Sequence, residues 1–169
     1  EPESDREELA ASEVLRPPFH LSYPFILPDG AQTYCIPEAA EDRRVQAYVE
    51  GQQGTWEPAH ILLDDFPALD PTVFEHDGLW WLMCTSADAG ANEFLFAWHS
   101  QSPKGPWVAH RMNPIKVDIR SARPAGRPFI LGKELIRPAQ DCSHHYGARL
   151  VLNRIIRLTP ETFEEEELA

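Results

Sequence analysis

The segment Gly54-Thr55-Trp56-Glu57-Pro58-Ala59-His60 returns as Gly105-Pro106-Trp107-Val108-Ala109-His110, which sets Trp56 and Trp107 51 residues apart. Recurrence at a period of roughly 40–50 residues is the mark of sheet units repeated around an axis. A second echo is a Pro-led apolar run, a tight turn and a returning run. Tyr23-Pro24-Phe25-Ile26-Leu27, Asp29-Gly30 and Thr33-Tyr34-Cys35-Ile36 match Asp70-Pro71-Thr72-Val73-Phe74, Asp77-Gly78 and Leu79-Trp80-Trp81-Leu82-Met83. Asp-Gly between β-rich runs signals a hairpin, because Gly accepts the positive φ of a type I′ turn. A looser third copy runs from Arg123-Pro124 through Phe129-Ile130-Leu131, turns at Gly132-Lys133 and returns at Glu134-Leu135-Ile136-Arg137. The prolines at 24, 71 and 124 step by 47 and 53 residues.

Each unit adds outer strands, at 45–49, 94–99 and 150–156, with a Trp near the outer edge of the first two. A four-stranded antiparallel unit of this kind is a propeller blade. The expected fold is all-β, a partial β-propeller of about three blades over 18–158, divided at about 18–63, 64–116 and 117–158. Residues 1–17 read as an acidic, disordered tail, and 159–169 as a short helix with an acidic tail, since Thr159 can cap a helix that has Pro160 at its first position. Closed propellers have about four to eight blades. Three units therefore belong to a larger propeller, or pair their open edges with a second copy or a partner chain, or form an incomplete ring covered by the tails.

The formal charge of -12 is concentrated at the ends: residues 1–13 hold six acids and one Arg, and 161–169 hold five acids, leaving -2 over the 147 residues between. Both runs read as solubilising, and a body without a positive footprint argues against a nucleic-acid partner. The three cysteines, Cys35, Cys84 and Cys142, lack paired short spacing and fit a reducing compartment. No stretch approaches the about 20 apolar residues of a membrane-spanning helix. The acidic start is the opposite of a signal peptide's basic region, so the expected location is cytoplasmic, although a removed signal would leave no trace.

Several motifs, in order, carry a resemblance: His20-Leu21-Ser22-Tyr23-Pro24, Ile36-Pro37-Glu38, the run from Asp70-Pro71 to Asp77-Gly78, Ser121-Ala122-Arg123-Pro124-Ala125-Gly126, Arg137-Pro138-Ala139-Gln140-Asp141-Cys142-Ser143 and Tyr146-Gly147. In these the chain resembles the N-terminal domain of glucosamine inositolphosphorylceramide transferases and their bacterial relatives, itself similar to the five-bladed propellers of glycoside hydrolase family 43. The resemblance covers about 18–163. It implies an arabinanase, levansucrase and invertase type of propeller and a carbohydrate or glycolipid head group as partner. Relatives carry a further N-terminal blade with its own Asp-Pro strand, which supplies one acid of the hydrolases' catalytic set. The transferase activity belongs to a separate domain of those longer proteins and is not carried over.

The first strand of each blade lines the central tunnel, so polar residues opening those strands meet where a sugar would bind. His20, Ser22, Asp70, Arg120 and Arg123 hold such places. Asp70 is the foremost candidate as a base or as a group tuning a neighbouring acid; it can equally cap a turn ahead of Pro71. Glu38 is the candidate proton donor, or else a surface acid paired with Arg43 or Arg44. An inverting pair needs carboxyls about 6.5–9.5 Å apart. Arg120, Arg123, Arg127 and Arg137, beside Gln140 and Asp141, could hold an anionic sugar or a phosphate, or be paired with Asp118 and Asp141. Cys142, His144 and His145 have no second cluster at ligand spacing, so no metal is assigned. With no Gly-rich phosphate loop and no Gly-x-Ser-x-Gly elbow, no cofactor is expected. The function expected is glycan binding, with hydrolysis by Asp70 and Glu38 as its enzymatic form; the alternative is a catalytically inactive interaction module assembling through open edges.

Overall fold

The computed structural model describes residues 12–168. It contains three antiparallel sheets built in sequence order. The first is β1 (Ser22–Asp29), β2 (Gln32–Glu38), β3 (Val45–Glu50) and β4 (Trp56–Leu63). The second is β5 (Ala68–His76), β6 (Leu79–Ser86), β7 (Phe94–Ser100) and β8 (Val108–Ala109), with β9 (Lys116–Val117) also paired to β7. The third is β10 (Phe129–Leu131), β11 (Glu134–Asp141), β12 (Arg149–Leu158) and β13 (Phe163–Glu167). This is the all-β partial propeller that the repeat predicts.

The local chemistry explains the hairpins. His76 pairs with Leu79, so Asp77-Gly78 forms the two-residue turn, with φ of 51° and 74° as a type I′ turn demands. The β1–β2 hairpin closes on Asp29 and Gln32 instead, shifting the turn by one residue.

Alternation along each strand decides which neighbour a sheet touches. Phe25, Leu27, Tyr34 and Ile36 of the first sheet pack against Val73, Leu82 and Cys84 of the second. The intervening residues Phe74, Trp81 and Met83 turn the other way and pack against Leu135, Ile155 and Leu158 of the third. Trp80 joins the first cluster and Trp81 the second. The middle sheet is thus apolar on both faces, which is why β6 reads as an uninterrupted hydrophobic run. A clasp on the third side joins the outer sheets: the Arg127 Nη2 donates to the Ile26 carbonyl at 2.5 Å and its guanidinium lies 4.9 Å from the Phe25 ring centre.

The C-terminal helix expected after Thr159 is absent. Thr159 Oγ1 accepts from the amide of Thr162 at 3.0 Å and makes a turn, after which Phe163–Glu167 joins the third sheet as its edge strand. Here tertiary pairing overrides the local start signal. Nor is this end a solvated tail. The Glu165 side chain is buried, accepting from Arg137 Nε at 2.8 Å and from Lys116 Nζ at 2.6 Å. Burial pushes the Glu165 carboxyl up, but Arg137 and Lys116 outweigh it and hold it below its ordinary range. The acidic run over 1–11 lies outside the described residues.

Candidate functional site

The inner strands converge on a buried polar cluster. Asp70 opens the β5 hairpin at a bulge between Leu69 and Thr72, in the left-handed region at φ 51°. Tyr23 occupies the corresponding bulge between Ser22 and Phe25, at φ 45°. Both precede proline, which disfavours the right-handed helical region for them. Such backbone costs roughly 1–3 kcal/mol and persists only where the surroundings enforce it. The bulge re-aims the side chain, a common device beside functional sites.

Asp70 Oδ2 accepts from Arg123 Nε at 2.7 Å and from Gln140 Nε2 at 2.8 Å. Glu38 Oε2 accepts from the Asp70 amide at 2.9 Å and lies 3.7 Å from Arg123 Nη2. The remaining arm of Arg123, Nη1, donates to Asn92 Oδ1 at 3.1 Å. All three sheets contribute: Glu38 ends β2, Asp70 lies on β5 and Gln140 on β11. Burial lifts the Asp70 carboxyl above its ordinary range; Arg123 opposes that lift, while the neighbouring Glu38 carboxylate adds to it. Two carboxylates therefore share one guanidinium.

Both carboxyls are engaged inside the protein: Asp70 by Arg123 and Gln140, and Glu38 by the Asp70 amide and the same guanidinium. Glu38 does not pair with Arg43 or Arg44, which bind Asp65 and Asp88, and Asp64, respectively. The four arginines considered as an anion site are dispersed: Arg120 pairs with Asp118, Arg123 with Asp70, Arg127 with a backbone carbonyl and Arg137 with Glu165.

Asp141 turns to a different set of partners, accepting from the Ser143 amide at 2.9 Å and from Arg149 Nε at 2.8 Å. Its hydrogen bonds with Ser143, then the one from Arg149, hold its carboxyl far below the ordinary range. Arg120 is exposed, and so is His20, whose amide donates to Glu41 at 3.4 Å. Ser22 is the register partner of Glu38 and lines an apolar groove on the free face of the first sheet.

Two residues not picked out in the sequence join the cluster. Asn92 takes the free arm of Arg123, and Tyr146 places its ring 4.7 Å from the Arg123 guanidinium while remaining 61% exposed. Tyr146-Gly147 carried the family resemblance, which was the signal available for it.

The three-sheet array is a partial propeller similar in fold to glycoside hydrolase family 43 enzymes. In fold it is similar to an exo-β-1,3-galactanase from Clostridium thermocellum, with a TM-score of 0.65 at 13% identity over 83% of this chain and 32% of the other. A thermostable family-43 glycoside hydrolase gives 0.60 at 14% identity, covering 92% of this chain and 60% of the other. The particular family follows from sequence: residues 10–169 match the family described as Glucosamine inositolphosphorylceramide transferase 1, N-terminal, and the chain belongs to it. Among curated relatives, Glucosamine inositolphosphorylceramide transferase 1 of Oryza sativa subsp. japonica is 37% identical over 153 residues, 87% of this chain. Its namesake in Arabidopsis thaliana is 34% identical over 156 residues, 89% of this chain. The chain spans about 20% of the length of these relatives.

Proposed function

We propose that this chain recognises a glycan or a glycolipid head group at the Asp70–Arg123 cluster and does so by binding, without cleaving it. The observation that carries this reading is the convergence of Glu38, Asp70, Arg123 and Gln140 from three sheets on one hub bordered by the exposed ring of Tyr146. Carboxylates and amides placed around one point match the donors and acceptors of sugar hydroxyls, and an exposed aromatic ring offers the apolar face that a pyranose stacks on. Cleavage is left out because both carboxyls are buried and already committed, Asp70 to Arg123 and Gln140 and Glu38 to the Asp70 amide. Several structures similar in fold are exo-β-1,3-galactanases, which makes β-1,3-galactotriose a suitable first probe beside a xyloglucan oligosaccharide and an inositol phosphoceramide head group.

Saturation-transfer NMR with the intact chain tests this. One probe should bind, Tyr146→Ala should weaken it at least fivefold without altering the far-ultraviolet circular dichroism, and no reducing ends should be released. If no probe contacts the ring of Tyr146, or if the variant binds as well as the parent, the reading fails. A second reading, an interaction module, is favoured by exposed apolar residues on both outer sheets, among them Ile26 and Ile61 on the first and Leu150 and Ile156 on the third. A chain that binds no glycan but self-associates in light scattering would support it.

A further inference from the structure

Three side chains hold the same place in the repeat: Tyr23, Asp70 and Arg123 each stand immediately before the prolines at 24, 71 and 124. Asp70 and Arg123 meet as an ion pair at the axis. Tyr23 has no part in that pair, yet its backbone is distorted like that of Asp70: both sit at positive φ in a bulge at the same register of their hairpins. Strain repeated at one position points to what the side chain does there.

The hydrogen bonds show what that is. Tyr23 Oη lies 2.9 Å from Thr72 Oγ1, across the joint between the first and second sheets. Thr72 Oγ1 lies 3.1 Å from the carbonyl oxygen of Asp70, and a carbonyl only accepts, so the Thr72 hydroxyl gives its one proton there. Thr72 is therefore the acceptor in its other bond and Tyr23 the donor. Burial pushes the Tyr23 phenol above its ordinary range, which keeps that proton in place. The donation runs one way, from Tyr23 to Thr72 to the Asp70 carbonyl, and Thr72 is 2% exposed, so water has little access to the chain.

Asp70 is thus gripped at three points. Thr72 holds its carbonyl, Glu38 its amide at 2.9 Å, and Arg123 and Gln140 its carboxylate. Thr72 belongs to the same strand as Asp70 and moves with it. Tyr23 of β1 anchors that strand to the neighbouring sheet on the carbonyl side, as Glu38 of β2 does on the amide side. A tyrosine that only filled space would be replaced by Phe without local consequence; one that ends a chain of donors would not.

We infer that Tyr23 is a positioning residue of the axial site: through Thr72 it fixes the backbone of Asp70, and so the direction in which the Asp70 carboxylate faces Arg123 and a ligand. The inference rests on the axial cluster being the place where a glycan binds.

Amide hydrogen exchange followed by NMR in the intact chain tests it. Tyr23→Phe keeps the ring and removes the hydroxyl; the Asp70 amide should exchange at least tenfold faster while the Leu82 amide, in the middle of the second sheet, changes less than twofold. Thr72→Val should reproduce the effect, and Thr72→Ser, which keeps the hydroxyl, should match the parent. Combining Tyr23→Phe with Thr72→Val should exchange no faster than Thr72→Val alone, because both break one chain. Unchanged Asp70 exchange in Tyr23→Phe overturns the inference. So does an acceleration shared equally by Leu82, which would make the hydroxyl a general support of the fold, and so do additive effects in the double variant. Binding is a separate arm: where the parent binds β-1,3-galactotriose, Tyr23→Phe should bind it at least fivefold more weakly, and equal binding overturns the inference. A parent that binds no glycan probe defeats the proposed function instead, and the exchange comparison still decides whether Tyr23 holds Asp70.

Discussion

Two buried ion clusters use the same chemistry with opposite balance. At the axis, Glu38 and Asp70 share Arg123; between the second and third sheets, Arg137 and Lys116 share Glu165. The axial cluster holds a surplus of negative charge, and the Asp70 carboxyl sits above its ordinary range; the inter-sheet cluster holds a surplus of positive charge, and Glu165 sits below its own. Their backbones differ too. Asp70 is held at positive φ on its own bulged strand, whereas Glu165 is not at positive φ and lies on β13 opposite Ile155, where the bulge belongs to the partner strand β12. A carboxylate outnumbered by cations is a brace. A carboxylate crowded by another carboxylate and held in a strained backbone is under tension that a ligand donor could relieve.

The comparison breaks most readily at the brace. Glu165→Leu leaves Arg137 and Lys116 without their anion in a closed interface and should destabilise the chain by about 3–5 kcal/mol in urea unfolding. A loss under about 1 kcal/mol would mean that the charges escape to water and the cluster is not a brace. At the axis, Asp70→Ala should lose less, about 1–3 kcal/mol, because Glu38 remains within 3.7 Å of Arg123 to take over part of the pairing.

Titration sharpens the contrast. Because the native Asp70 carboxyl holds its proton to higher pH than the ordinary 3.8, the native state loses stability from this group as pH rises from 3.8 through the raised value. Asp70→Asn should therefore change stability by no more than about 1 kcal/mol and gain on the parent across that rise. Glu165 has the opposite sign: its contribution is complete above the ordinary 4.5 and is lost as pH falls through the lowered value. The difference between the parent and Glu165→Gln should accordingly shrink on acidification. Parallel pH profiles for the two variants would abolish the distinction.

Most of the scaffold was readable because its cues are local. Asp77-Gly78 announces its own turn, and the Pro24/Pro71 echo sets the register of two hairpins. The meeting of Asp70, Arg123 and Glu38 was expected from their places at the inner ends of strands. Their contact is a property of three sheets, with Asp70 and Gln140 separated by 70 residues, so the sharing of Arg123 by both carboxylates could not be read. Asn92 and Tyr146 sit in connections whose sequence carries no periodicity. The C-terminal strand was hidden for a different reason: its inward position is filled by Glu165, so the alternation that marks a strand looks like a charge run. Arg137, the cation that makes this burial tolerable, lies 28 residues away.

The two-sided apolar middle sheet constrains how the chain can be taken apart. A truncation that keeps β5–β7 but drops either flanking sheet strips the cover from Leu82 on one side or from Trp81 on the other. Deletion variants split at those joints should come out of cells insoluble. Dissecting this protein into working parts therefore calls for point substitutions rather than for shorter chains.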